Sequence, residues 1–75
     1  MTKKHAGVVE NLARNLITLR EAKGLSQEAL ALQAGVDRTF VSKIERRLAN
    51  PSLATVSALA EVLGVTAVTL LSPPN

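Results

Sequence analysis

Apolar positions along the chain recur at steps of three and four residues. Val9, Leu12 and Leu16 follow this spacing, which is typical of the buried face of a helix. They predict a first helix over about 8–23. Gly24 is expected to end it, because glycine adopts the left-handed backbone of a helix end at little cost.

Four further helices are predicted from residues that start and stop them. Serine, threonine and aspartate side chains accept hydrogen bonds from the free N–H groups of a helix start, whereas glycine and proline end helices. The expected starts are Ser26, Asp37, Ser52 and Thr66, and the helices cover about 27–34, 38–46, 53–63 and 67–71. The prediction is an all-α fold of five helices with short connections, in which helices 2 and 3 form a helix-turn-helix.

Composition narrows the possible functions. The 75 residues predict one domain over 1–75, with flexible ends at about 1–6 and 73–75, and a core so small that a second subunit is expected to support it. There is no cysteine, and His5 is the single histidine, so disulfides and Cys/His metal clusters are excluded. No nucleophile has a nearby base and no glycine-rich phosphate loop occurs. We therefore expect no enzyme activity, no cofactor, no metal and no small-molecule ligand.

The hydropathy of the chain argues against a membrane protein. No apolar run approaches the roughly 20 residues that a membrane span needs, and no apolar segment of signal-peptide length follows the N-terminal lysines. We expect a cytoplasmic protein without a membrane partner.

Charge is unevenly distributed. The net charge of +3 is modest, but 38–47 contains four basic residues and one acid, whereas Glu61 is the only charged residue after Arg47. The four are Arg38, Lys43, Arg46 and Arg47. A basic region suits phosphates and an uncharged, apolar region suits protein. A merely solvated basic face is the alternative.

The third predicted helix separates polar from apolar side chains. At 100° per residue, one arc contains Arg38, Thr39, Ser42, Lys43 and Arg46, and the opposite arc contains Phe40, Val41, Ile44 and Leu48. Glu45 lies on the border between them. A helix that enters the major groove of DNA needs this division, because apolar residues anchor its back while polar groups meet base edges and phosphates.

Several motifs together resemble the Cro/CI-type, or XRE-family, helix-turn-helix proteins. They are GLSQE at 24–28, GVDRT at 35–39, VSKIER at 41–46 and NPS at 50–52. The resemblance covers about 12–71. The string DRTFVS, the length and the lack of a second domain are most similar to controller proteins of restriction-modification systems.

This resemblance implies roles in DNA binding. Gln27 is expected to contact a phosphate, with a solvent-exposed residue of the capping turn as the alternative. Arg38 is the first candidate for base recognition, because a guanidinium can donate two hydrogen bonds to guanine O6 and N7; a plain phosphate contact is the alternative. Thr39 is assigned to a thymine methyl or a phosphate, and Ser42 and Lys43 share its face. Ser42 has the alternative of merely permitting close approach.

Phe40 and the loop after the third helix also have alternative assignments. Phe40 is either a core residue or a contact to a thymine methyl in the groove. Arg46, Arg47 and Asn50 are expected to meet backbone phosphates, with a solvated loop as the alternative. Related sequences commonly have glycine where Arg47 stands, so either Arg47 adopts a strained left-handed backbone or the helix ends differently.

Arg20 and Glu45 are interpreted as structural. Each lies at or beside a buried face, where an unpaired charge is costly. The resemblance implies an ion pair between helices 1 and 3.

The apolar C-terminal region predicts self-association. Val65, Val68, Leu70 and Leu71 exceed what a five-residue helix can bury against its own core. The resemblance implies a homodimer that binds a palindromic operator on double-stranded DNA. Two alternatives are that helix 5 only covers the monomer core, and that this surface binds a different chain, as in an antitoxin-like subunit.

Overall fold

The computed structural model of the chain describes the backbone of residues 3–74 and the side chains of residues 7–74. In that part the secondary structure consists of five helices and no strand. They are α1 (Lys3–Ala22), α2 (Gln27–Ala34), α3 (Arg38–Glu45), α4 (Leu53–Leu63) and α5 (Ala67–Leu71). The predicted all-α fold is confirmed, and the bounds of α2, α4 and α5 agree with the prediction.

Local side-chain bonds explain why α2, α3, α4 and α5 begin where predicted. The hydroxyl of Ser26 accepts a hydrogen bond from the backbone N–H of Ala29, and Asp37 accepts one from the N–H of Thr39 at 2.7 Å. Ser52 and Thr66 cap α4 and α5 in the same way. Each cap satisfies a donor that the first helical turn leaves free.

The first helix begins earlier than the apolar pattern predicted. It starts at Lys3 rather than near 8, so residues 3–6, expected in a flexible end, are helical. No proline and no N-cap signal separates them from the amphipathic segment, and lysine and alanine favour helix. Residues 1, 2 and 75 of the expected flexible ends lie outside the described residues, as does the side chain of His5.

The third helix ends one residue earlier than predicted, at Glu45. This corrects the placement of Leu48 on the apolar face of α3. Its side chain is 64% exposed, because the helical rotation that put it there does not continue past Glu45.

The core lies where the inner faces of all five helices meet. α1 packs against α3 and α5, α2 against α3 and α4, and α4 against α5. The buried apolar side chains are Leu12, Leu16, Leu30, Val41, Ile44, Val56, Leu59, Leu63 and Leu70, with Ala13, Ala31 and Ala60. Burial of each large one stabilises the fold by about 1.5–3 kcal/mol. α3 is thereby fixed by its apolar side, and none of the described helices is long and apolar enough to cross a membrane.

Candidate nucleic-acid interface

The outer face of α3 is polar and accessible. Arg38, Thr39 and Lys43 are exposed on this short helix, whereas Val41 and Ile44 are 0% and 1% exposed beneath them. Ser42 is partly buried, and its hydroxyl accepts a hydrogen bond from the Nε of Arg46 at 3.2 Å. We use the name reading face for the side chains of residues 38, 39, 42 and 43.

Phe40 takes part in the core. Its ring is partly buried and packs against the central apolar cluster. The structure therefore supplies packing contacts for the first alternative, in which Phe40 is a core residue. Any contact of Phe40 with a groove is restricted to the part of the ring that remains exposed.

An open concavity lies between the start of α2 and the start of α3. It has a volume of about 420 Å³ and is lined by Arg20, Ser26, Gln27, Glu28 and Arg38. The positive end of the α2 dipole and the Arg38 guanidinium favour an anion there, and Glu28 opposes it. The reading face thus continues into a polar recess.

Gln27 has a contact that the sequence did not predict. Its side-chain nitrogen Nε2 donates a hydrogen bond to Oε1 of Glu45 at 2.8 Å, and the residue is partly buried. The alternative of a freely solvated capping residue is therefore wrong. One amide hydrogen and the amide oxygen are still available to a phosphate contact.

The structure brings Arg20 and Glu45 together across α1 and α3. The Nε of Arg20 lies 2.7 Å from one carboxylate oxygen of Glu45 and its Nη2 lies 3.0 Å from the other, while Nη1 donates to the carbonyl of Leu25 at 2.9 Å. Hydrogen bonding to Glu45 raises the pKa of Arg20, although burial opposes this shift. Glu45 is 5% exposed and also accepts from Gln27, so the pair fixes the back of α3 and the start of α2.

Arg47 adopts a left-handed backbone, with φ of 62°. Among the described residues it is the only non-glycine with a positive φ. The N–H of Leu48 donates to the carbonyl of Lys43, and the N–H of Arg47 donates to that of Ile44. These two bonds form the Schellman motif that glycine usually supports, so the first of the two alternatives for Arg47 holds.

The guanidinium of Arg47 is bound within the chain. Its Nε and Nη2 donate to the two carboxylate oxygens of Glu10 at 2.7 and 3.0 Å, and its Nη1 donates to the carbonyl of Glu45 at 2.8 Å. These bonds hold the pKa of Glu10 below its ordinary value and raise that of Arg47. Two of these three donors join the loop to α1, and two further N–H groups of the guanidinium are still available, so the phosphate contact of Arg47 stays a prediction. Arg46 and Asn50 remain exposed beside it.

The predicted dimer surface is only partly exposed. Val68 is 74% exposed, and Val65 and Leu71 are partly buried. The prediction is wrong for Leu70, which is 0% exposed and already packed in the core of its own subunit. In the described structure α5 covers the core with Leu70 and presents Val68 outward.

Two groups of residues in this region were not predicted from the sequence. Glu10 holds Arg47 from 37 positions away, and Asn11 and Asn15 of α1 donate to carbonyls at the end of α5. The second group had a signal, because two amides at i and i+4 lie on one helix face, directly beside Leu12 and Leu16. No sequence signal identifies Glu10 as the partner of Arg47.

Comparison with known proteins decides the family. Residues 16–70 match the sequence profile of the HTH_3 helix-turn-helix family. The chain belongs to this helix-turn-helix family. The match includes α2, α3 and α4, and therefore the whole reading face.

Relatives of the chain within the family are transcriptional regulators. A hypothetical transcription factor of Neisseria meningitidis is 49% identical over 64 residues, which are 85% of this chain and 60% of that protein. The chain thus spans less than two thirds of that relative. The crystal structure of the Neisseria factor superimposes with a TM-score of 0.86 at 46% identity, covering 89% of this chain and 77% of that one.

Two further solved structures share the fold. The restriction-modification controller protein C.AhdI of Aeromonas hydrophila has a TM-score of 0.79 at 40% identity, covering 83% of this chain and 94% of that one. SinR, described as the master regulator for biofilm formation and crystallised in complex with DNA, has a TM-score of 0.78 at 37% identity, covering 81% and 98%. Both are named as regulatory proteins, and the SinR structure contains DNA.

Proposed function

We propose that the protein is a sequence-specific DNA-binding transcriptional regulator that acts as a homodimer on a palindromic operator in the cytoplasm. The observation that supports this most is the division of α3, in which Val41 and Ile44 are buried while Arg38, Thr39 and Lys43 are exposed. Such a helix can enter a major groove without exposing core residues. The similarity to SinR, which has been crystallised with DNA, supports the same partner.

The proposal assigns base recognition to the start of α3. Arg38 lies in the first turn, where a reading helix meets base edges, and its exposed guanidinium matches the O6/N7 edge of guanine. Thr39 and Lys43 contact a thymine methyl or phosphates, and Ser42 permits close approach. Gln27, Arg46 and Asn50 contact phosphates on either side of the groove and fix the helix in register.

The proposed homodimer rests on the exposed part of α5. A side chain as apolar as Val68, 74% exposed beside the partly buried Val65 and Leu71, favours burial against a second chain. Twofold symmetry then places two reading faces about 34 Å apart, one turn of DNA, and requires a palindromic site. No small-molecule effector is proposed, so occupancy depends on protein concentration and dimerisation.

Selection of bound sites from random duplexes tests the proposal as a whole. We expect two inverted half-sites about one helical turn apart, with guanine enriched at one position of each. Recovery of unrelated sequences would contradict sequence-specific recognition. Recovery of single, unpaired half-sites would contradict the proposed homodimer.

Variants of the reading face test the assignment of residues. Arg38→Ala should weaken binding to the selected site by about 1–3 kcal/mol and relax the preference at one base position. Lys43→Ala should weaken binding to all DNA sequences. It should also reduce the slope of log binding constant against log salt concentration by about one. Lys23→Ala removes a comparably exposed charge at the end of α1 and is the matched control. Equal effects of all three variants would contradict the assignment.

A role as a controller of a restriction-modification system is the more specific form of this proposal. It is supported by the similarity to C.AhdI over 94% of that protein. The proposal requires the selected operator to lie upstream of restriction-modification genes, and an operator elsewhere in the genome would contradict it.

A protein-binding subunit of the antitoxin type is the second candidate function, favoured by the exposure of Val68. It predicts a stable complex with a different chain. It also predicts no salt-sensitive binding to DNA, so one titration of duplex at two salt concentrations separates the two functions.

A further inference from the structure

We infer that Asn15, assisted by Asn11, is the positioning residue that sets α5 in the orientation needed for dimerisation. This inference rests on the homodimer proposed above. Neither asparagine belongs to the proposed dimer surface, and both act from α1 through the backbone of α5.

The contact consists of amide donors meeting a helix end. The Nδ2 of Asn15 lies 2.9 Å from the carbonyl oxygen of Leu70, 2.8 Å from that of Ser72 and 3.2 Å from that of Thr69. The Nδ2 of Asn11 donates to the carbonyl of Leu71 at 3.1 Å. The Asn15 amide has two hydrogens for these three acceptors, so one of the bonds is shared. Two side chains on one face of α1 therefore lie within hydrogen-bond distance of four consecutive carbonyls at the end of α5.

The end of α5 needs these donors because it lacks a glycine cap. α2 and α4 end at Gly35 and Gly64, where backbone N–H groups donate back to the last helical carbonyls. The N–H and the hydroxyl of Ser72 donate to the carbonyls of Thr69 and Val68. The two prolines that follow have no N–H to donate, so the carbonyls of Leu70 and Leu71 receive no such bond from the end of the chain. A five-residue helix is also too short to be stable alone, so its position depends on what it contacts.

Apolar packing holds one side of α5 against the core. Leu70 is fully buried, and the partly buried Ala67 and Leu71 pack beside it. Apolar contacts are not directional, so they leave small rotations about the helix axis weakly determined. Hydrogen bonds are directional, and the carbonyls of 69–72 meet the Asn15 and Asn11 amides in only one rotational setting. That setting faces Val68 outward.

α1 also contacts α3, the helix that carries the reading face. α1 binds α3 through the Arg20–Glu45 pair near its C-terminal end and binds α5 through Asn15 and Asn11 in its middle. The angle between the dimer surface and the reading face is therefore set along α1. Loss of the Asn15 bonds should weaken dimerisation and binding to the palindrome, and should leave binding to a half-site unchanged.

The experiment compares Asn15→Ala, Asn11→Ala and Asn15→Asp with Thr18→Ala, an exposed α1 control with no side-chain bond among the described contacts. Sedimentation measures the dimer dissociation constant. Thermal unfolding at a concentration where the protein is monomeric measures the stability of the monomer. We expect the dissociation constant to rise about tenfold for Asn15→Ala and about threefold for Asn11→Ala. Asn15→Asp should raise it further, because a carboxylate would repel the three carbonyls.

DNA binding supplies the readout that a purely structural role would not give. For Asn15→Ala we expect affinity for the palindrome to fall about tenfold and affinity for an isolated half-site to stay within twofold of the unmodified protein. A dimer dissociation constant equal to that of Thr18→Ala would overturn the inference. A parallel fall in half-site affinity would also overturn it, because it would show a general loss of folding.

The oligomeric state of the unmodified protein shows whether a negative result refutes the proposed homodimer or only the role of Asn15. If it is a monomer at 100-fold the concentration of half-maximal DNA binding, the proposed homodimer fails and this inference fails with it. If it is a dimer and Asn15→Ala dimerises equally well, only the positioning role of Asn15 is refuted.

Discussion

Two of the arginine–carboxylate pairs that join α1 to the region of α3 have nearly the same geometry. In both, Nε lies 2.7 Å from one carboxylate oxygen and Nη2 lies 3.0 Å from the other. In both, Nη1 also binds a backbone carbonyl, that of Leu25 for Arg20 and that of Glu45 for Arg47. Their surroundings differ.

The difference is exposure to water. The side chains of Arg20 and Glu45 are 13% and 5% exposed, whereas those of Arg47 and Glu10 are 39% and 46% exposed. Water screens the second pair and solvates either partner when the other is lost. In the first pair the remaining partner keeps a charge that water solvates far less. Equal distances therefore predict unequal contributions, and the following variants test that difference.

Glu45→Ala should have the largest effect. It removes the bidentate carboxylate partner of the largely buried Arg20 and the acceptor of Gln27, so we expect a loss of about 3 kcal/mol in the free energy of unfolding. The thermal midpoint should fall by more than about 10 °C. Glu61→Ala, which removes an exposed acid from α4, is the control. A similar midpoint for the two variants would refute the structural role of Glu45.

Replacing both members of the buried pair should cost less than removing one. In the double variant Arg20→Met with Glu45→Leu no unpaired charge remains, and apolar side chains fill the space. We expect its midpoint to fall by less than half as much as that of Glu45→Ala, measured by thermal unfolding. A larger fall would show that the bonds to Leu25 and Gln27 contribute more than the charge pair itself.

Comparison of Arg47→Gly with Arg47→Ala distinguishes the loss of the exposed ion pair from the effect of backbone strain at residue 47. Both remove the bonds to Glu10, but glycine also relieves the left-handed strain that alanine keeps. The glycine variant should therefore melt about 4 °C above the alanine variant. Gly35→Ala is the converse control, because an added Cβ there meets no neighbour and costs only backbone strain. Identical midpoints for the two Arg47 variants would mean that no strain exists at this position.

Glu10→Gln should have the smallest effect, and the effect should depend on pH. Hydrogen bonding by Arg47 lowers the pKa of Glu10, so Glu10 stabilises the fold above its unfolded pKa and loses this contribution as pH falls through its folded pKa. The unmodified protein should melt less than about 4 °C above Glu10→Gln at pH 7. The two should melt alike once the pH is below the lowered pKa of Glu10, where its carboxyl is protonated in the folded protein as well. A difference that persists there, or that is unchanged in 1 M salt, would contradict an exposed ionic pair.

Most of the fold was predictable because its signals are local. The caps at Ser26, Asp37, Ser52 and Thr66 bind N–H groups two or three residues away, so the sequence contains both partners of each bond. The start of α1 was not predicted, since the apolar periodicity begins only at Val9, several residues after Lys3. The reading face followed from helical periodicity together with the burial of Val41 and Ile44 beneath it.

The parts of the site that were not predictable depend on contacts between distant positions. Gln27 with Glu45, Arg47 with Glu10 and Asn15 with α5 are separated by 18, 37 and more than 50 residues. A helical wheel assigns each residue to a face but cannot say which partner stands opposite. Leu70 shows the same limit, because its burial depends on how α5 lies across α1 and α4.

The near absence of charge after Leu48 gives the two ends of the molecule different responses to dissolved ions. Contacts with phosphate weaken as ionic strength rises, whereas apolar contact is unaffected or strengthened. At high salt, two chains joined through the uncharged end would dissociate from a duplex and remain joined to each other. They would rebind as a dimer, with both reading helices already aligned for the next site.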